Sequence, residues 1–284
     1  MGRLARVLLW VGYPLAGLAL TVLFVFLGFP YDLLGKRLSS EVERATQVRL
    51  RIGELSPHLG LGGPGLEASD VYAAREGGRT IVLRSLVVRP AWSLAWLRGT
   101  PAVHVSVDSE IGNSAGTVFL GQGGGFQGEL EGVQVGFLPL EDLTGGLEVD
   151  GRLDATIDLR APSEDAGAGL EGTVEFDLTE GSVATNALPI AVPFEHLRGT
   201  LAFGGEVWVT IEKLELEGPL VQAQASGHVG LGPNAQLRPL VLTLSYTAKD
   251  PAVQAALAGL GRRLAPDGSD ELAVSGTLGA PVVR

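Results

Sequence analysis

The chain has 284 residues, 45% of them hydrophobic, with 41 glycines, 16 prolines and a formal charge of −11. Such a composition excludes general disorder, and the acidic balance argues against nucleic-acid binding. No cysteine is present, so disulfides, thiolate metal sites and cysteine nucleophiles are excluded.

The first element is an apolar run that opens at Val7 and closes at Phe29. No charged residue lies between Arg6 and Asp32. About 20 apolar residues in a helix span a hydrocarbon core of about 30 Å, so the run is long enough to cross a bilayer. Trp10 and Tyr13 near its start and Tyr31 just past its end suit the headgroup level. The run exceeds the apolar core of a signal peptide, and no clear A-x-A cleavage site follows, so an uncleaved single-pass anchor is expected. Arg3 and Arg6 precede it, and Lys36, Arg37, Arg44 and Arg49 follow it. A simple count of these charges favours a cytoplasmic body, but long domains translocate largely regardless of charge.

All 32 acidic side chains lie beyond the run, against 19 basic ones, so the body carries a charge near −13. Contact with lipid would therefore use apolar surface. The segment from Asp32 to Thr46 reads as an amphipathic helix with Leu34, Leu38, Val42 and Ala45 on its apolar stripe.

From Val48 the period becomes two. Val48, Leu50 and Ile52 alternate with Arg49, Arg51 and Gly53; a glycine-rich turn region follows over 60–65. Ile81, Leu83 and Val87 belong to a strand that is apolar on both faces. Pro90 suits the first position of a short helix, which would place Trp92 and Trp96 on one face as a core plug or as a membrane or partner contact. Val103, Val105 and Val107 form the next strand. Glu148 to Arg160 alternates cleanly: Val149, Leu153, Ala155, Ile157 and Leu159 on one side, acids, Thr156 and arginines on the other.

Val174, Phe176 and Leu178 repeat that grammar. Val207, Val209 and Ile211 continue it, and a change of parity to Leu214 and Leu216 implies a bulge near Glu212 and Lys213. Further strands run through Val221–Val229, Leu240–Tyr246 and Leu272–Leu278. Between the last two, Asp250-Pro251 caps a helix whose apolar stripe is Val253, Ala256, Leu257, Leu260 and Leu264, stopped by Pro266.

Two motifs carry little weight. Gly112-Asn113-Ser114-Ala115-Gly116 has the form of a nucleophile elbow, but a strand-like stretch follows where a helix is required, and a turn is the simpler reading. Gly121-Gln122-Gly123 lacks the third glycine of a dinucleotide fingerprint and reads as a hairpin loop. His58, His104, His196 and His228 do not pair at metal-ligand spacing. No catalytic residue, cofactor or metal site is expected.

These observations predict a mainly β protein. An N-terminal transmembrane helix (1–30) and a juxtamembrane helix (31–47) lead into a long curved antiparallel sheet (48–284) with two or three short helices. A one-sided apolar sheet must close, be covered or hold something apolar. Leu153, Ile157, Phe176, Val209, Leu242 and Leu244 are the expected groove lining. Trp92, Trp96, Leu257 and Leu260 are the expected plug or contact.

The anchor, the segment Thr46-Gln47-Val48-Arg49-Leu50-Arg51-Ile52-Gly53-Glu54-Leu55, the stretch Leu66-Glu67-Ala68-Ser69-Asp70-Val71 and the ending Val274-Ser275-Gly276-Thr277-Leu278-Gly279-Ala280-Pro281 together resemble AsmA-like proteins. Length and layout are similar to the GspN branch of type II secretion proteins found in delta-proteobacteria and spirochaetes. The resemblance implies an inner-membrane anchor, a periplasmic body and a non-enzymatic role through contacts with other secretion components. It also implies kinship with lipid carriers that hold acyl chains in a half-open β groove.

Overall fold

The computed structural model describes residues 24–46, 48–60, 62–75, 80–92, 96, 99–121, 124–137, 148–161, 169–184, 191–205, 208–230, 237–259, 262 and 264–283, with 13, 16–18 and 20–21 nearer the N-terminus. Two compact units divide the chain, residues 1–89 and 90–284. Among the described residues no helix is long and apolar enough to cross a membrane. Val7 and Trp10 of the expected span lie outside them, and Phe29 is exposed at the end of the run.

Unit 1 holds helix α1 (Tyr31–Thr46) and strands β1 (Val48–Gly60), β2 (Gly63–Arg75) and β3 (Thr80–Pro90). The strands form an antiparallel meander. Helix α1 folds back along β1. Tyr31 is buried with Leu55, Ala68 and Val71, and Leu34, Leu50, Ile52 and Leu83 pack around them. Gly35 is buried on the helix, and a Cβ there would stand 3.8 Å from that of Leu55. The expected stripe is thus shifted: Leu34 packs inward, but Leu38 is exposed. The side chains of Val42 and Ala45 lie outside the described set.

The turn expected over 60–65 falls there, with Gly62 between the end of β1 at Gly60 and the start of β2 at Gly63, so the flanking glycines are already strand. Further along the hairpin the period of two is interrupted without a change of register: Asp70 has a φ of 51°, and the pairing skips Gly53 and Asp70. Inward residues therefore recur at three as well as two, as Ile52 and Leu55 do. Pro90 is the last residue of β3 and not the first of a helix; Trp96 is in a 3-10 turn, and the rest of the expected helix, 93–95 and 97–98, lies outside the described residues.

On the outer face of unit 1, His58 Nδ1 and Glu67 Oε2 are 2.9 Å apart, and the Ser85 hydroxyl donates to Glu67 Oε1 at 3.1 Å. The His58 and Ser85 hydrogen bonds hold the Glu67 carboxyl below the usual carboxylate range. A depressed carboxylate stabilises the folded state above its unfolded pKa, and that stability fades as pH falls through the folded value. Glu67→Gln should lower stability near neutral pH by less than about 1 kcal/mol, because the site is partly solvated, and leave it unchanged in strong acid. Melting curves at both pH values check this.

Unit 2 carries β4 (Ala102–Ser109), β5 (Gly112–Phe119), β6 (Gly125–Gln134), β7 (Glu148–Arg160), β8 (Leu170–Ala184), β9 (Val192–Gly205), β10 (Trp208–Glu217), β11 (Val221–Gly230), β12 (Pro239–Ala248), β13 (Ser269–Thr277) and β14 (Ala280–Val283). Strand order follows chain order, every pairing from β4 to β14 is antiparallel, and the sheet stays open. Gly112 and Gly116, read as a turn, lie within β5. The bulge falls where the parity change places it: the register shifts between Ile211 and Leu214, which puts both on one face.

Helix α2 (Pro251–Gly259) interrupts the meander and packs against β12. Asp250 caps it, with Oδ1 accepting the N–H groups of Ala252 at 2.7 Å and Val253 at 3.3 Å. The described helix runs to Gly259; Leu260 of the expected stripe lies outside the described residues, and Leu264 is not helical. Asp250→Ala should destabilise it by about 1 kcal/mol, read as faster amide exchange over 252–257 with the strands unchanged.

Candidate functional site: the apolar face of unit 2

Register fixes which side chains meet. Leu153, Leu178, Leu197, Leu216, Ala223 and Tyr246 are successive partners from β7 to β12. Ala155, Phe176, Gly199, Leu214, Ala225 and Leu244 form the next row, and Ile157, Val174, Leu201, Ile211, Gly227 and Leu242 the third. Leu159, Gly172, Phe203, Val209, Val229 and Leu240 close the set. Because side chains alternate between faces, all four rows share one side of the sheet. The six expected lining residues all lie in them.

Each of those six is half-buried, but their surroundings differ. Val135, Leu178 and Phe194 are buried together, and Leu153 and Phe176 pack against them. Val135 belongs to a 3-10 turn (Val135–Phe137) that follows β6. This end of the face is therefore closed by the chain itself. The row through Ile157 and Leu242 and the row through Val209 lie away from that cluster, whereas Leu244 shares its row with Phe176.

Glycines let aromatic rings lie across the strands. A Cβ on Gly199 would stand 2.5 Å from the Phe176 ring, and one on Gly181 2.5 Å from the Phe194 ring. Phe126 covers Gly116 and Gly128 in the same way. The face is thus smoothed by flat rings over bare backbone.

The expected plug residues behave differently from one another. The Trp92 and Trp96 rings stand 4.9 Å apart, and Trp96 Nε1 donates to the Ala91 carbonyl at 2.9 Å. Trp92 is 61% exposed, so it is not a core plug. Leu257 is half-buried on α2, and Leu260 lies outside the described residues.

Beyond α2, Arg262 Nε and Nη2 donate to Asp270 Oδ2 at 3.0 and 2.8 Å, and the Tyr246 hydroxyl donates to the same oxygen at 3.1 Å. Burial pushes the Tyr246 hydroxyl above its usual value. Burial also opposes ionisation of Asp270, but Arg262 and the Glu271 N–H hold its carboxyl below the usual range. This pair ties the segment after α2 to β12 and β13.

The other face is acidic. A recess of about 640 Å³ on it is lined by Glu129, Glu131, Asp154, Glu175, Asp177 and Glu215, with Arg198 and Lys213 among them. Arg198 Nε donates to Asp177 Oδ2 at 3.1 Å, and Lys213 pairs with Glu215 at 2.7 Å. Among the described residues no three histidines or acids converge in a way that could hold a metal ion.

The class these features define is an open antiparallel β meander with one apolar and one acidic face. No family model matches the chain, and no curated protein or solved structure is similar to it.

Proposed function

We propose that this chain is a membrane-anchored, non-enzymatic subunit of a type II secretion system, with its β body in the periplasm. It works by contacts made on the apolar face of unit 2. The observation that supports this reading most is the set of four registered rows of mainly apolar residues across six consecutive strands, in which most large side chains, Ile157, Val209, Leu242 and Leu244 among them, stay only half-buried. A soluble sheet gains nothing by keeping such a face next to water, and burying it against a partner is favourable by roughly 25 cal/mol per Å².

The test is purification of the tagged full chain from solubilised membranes of its own host, with a secretion assay on the deletion strain. Retention of secretion components, and their loss with Leu244→Asp at unchanged far-UV circular dichroism, is the expected result. Normal secretion without the chain would overturn the proposal.

One observation favours a second reading, in which the face holds acyl chains. The rows through Ile157, Val209 and Leu242 lie outside the buried cluster that closes the other end. Each buried CH₂ of a lipid tail contributes about 0.8 kcal/mol, enough for such a face to retain one. Mass spectrometry of gently purified chain should then detect phospholipid, and lipid-free protein would remove this reading.

A further inference from the structure

The outer face of unit 2, opposite the apolar rows, is not uniform. Its acids gather on β6 to β10, in rows such as Glu129–Thr156–Glu175 and Asp154–Asp177–Arg198. Towards β14 they give way to neutral side chains. Ser226, Thr243 and Ala273 form one row there, and His228, Val241, Ser275 and Val282 the next. Pro239, Thr277 and Ala280 form a third, with Trp208 at the same end of β10, opposite Gly230. None of these residues is an acid, a lysine or an arginine.

Apolar surface in this patch meets solvent. Trp208, Val241 and Val282 are 38%, 53% and 49% exposed. The Trp208 ring stands edge-on to His228 with centroids 6.5 Å apart, and Thr210 Oγ1 lies 3.1 Å from His228 Nδ1, so the indole has neighbours that orient it. A tryptophan among branched and small side chains, free of charge, is the composition of an interface centre.

Charge selects the occupant. Unit 2 holds 25 of the 32 acidic and 10 of the 21 basic side chains, a net charge of −15. A basic partner would gain most over the acidic rows of β6 to β10. A second copy of this chain would be repelled there, and on the outer face it could approach closely only over the neutral rows. Five strands about 4.8 Å apart and three rows about 6.8 Å apart give roughly 500 Å² on each copy. A pair would cover about 1,000 Å², the low end for a specific contact, so the association would be weak and concentration-dependent. The contact would be face to face. Strand β14 beside the patch has only four residues, and Pro281 among them has no amide hydrogen to offer an added strand.

We propose that the uncharged part of the outer face, over β10 to β14, is where unit 2 meets a second copy of this chain, with the same patch on both partners about a two-fold axis. This contact lies on the opposite side of the sheet from the one assigned to secretion components, so the two are tested separately.

Sedimentation equilibrium of the full chain in a density-matched detergent reads the association. A monomer–dimer equilibrium is expected, and Val241→Asp should raise its dissociation constant at least about ten-fold. Thr156→Asp places the same charge at an exposed site on the acidic rows and should change the constant less than about two-fold. Far-UV circular dichroism checks that both variants stay folded. The chain has no cysteine, so single introduced thiols report position. A short bismaleimide should join Thr243→Cys chains in pairs and leave Thr156→Cys chains single. A chain that stays monomeric at the highest concentration overturns the proposal. Equal cross-linking at the two sites overturns it as well. So does a dimer that Val241→Asp leaves intact, since it would be held through another surface. None of these outcomes bears on the proposed function, which is read by retention of secretion components.

Discussion

Phe194→Ala should destabilise unit 2 by about 3–5 kcal/mol, the usual range for removing a buried aromatic ring. Phe194 is 3% exposed and sits with Val135 and Leu178 in the buried cluster of this unit. Its ring also lies over Gly181, where a Cβ would approach it to 2.5 Å. The cavity would therefore be lined partly by backbone that cannot collapse inward. Urea titration of the purified chain in detergent reads the effect as a lower midpoint. If the midpoint moves by less than the equivalent of about 1 kcal/mol, the cluster is not a core and the closed end of the face is open after all. The 3-10 turn should loosen with it, seen as faster amide exchange at Val135 and Gly136.

Gly172→Ala is the second large effect. Gly172 lies in β8 with a φ of 136°, and an added Cβ would fall 1.9 Å from the Asp158 carbonyl oxygen of β7. Two penalties combine there: a backbone conformation that L-residues rarely adopt, and a clash with a strand that cannot retreat without breaking its own pairing. Roughly 2–4 kcal/mol is expected. Gly204→Ala is the control, because a Cβ there meets nothing within 4 Å. Equal melting temperatures for the two variants would show that β7 and β8 do not pair in this register.

Much of this architecture is legible in the residues themselves. The alternation from Glu148 to Arg160 marks β7 to its ends, because one face is apolar and the other polar throughout. The flip after Ile211 reports the bulge, and Asp250-Pro251 reports the start of α2. The losses share a cause. Where glycine or a left-handed residue enters a strand, the period of two breaks, as at Gly53 and Asp70. Small residues erase the signal altogether: Gly112, Ser114, Ala115 and Gly116 have no side chain large enough to declare a face, although they stand in β5.

The candidate face was visible for the same reason that β7 was, since each lining residue sits at a regular alternation. The segment after β3 is less legible: Pro90 suits a helix start, but it is still the last residue of that strand.

Within unit 2, each strand from β5 to β13 hydrogen-bonds to the strands before and after it in the sequence. Ordering can thus advance hairpin by hairpin while the polypeptide is still being made, with no early segment waiting for a late one. The same wiring makes length adjustable. Excising one neighbouring pair, such as β10 and β11, would rejoin two strands of compatible direction and shorten the ribbon by about 10 Å. Duplication of a pair would lengthen it by as much, so reach is a quantity that descent can tune in steps of two strands.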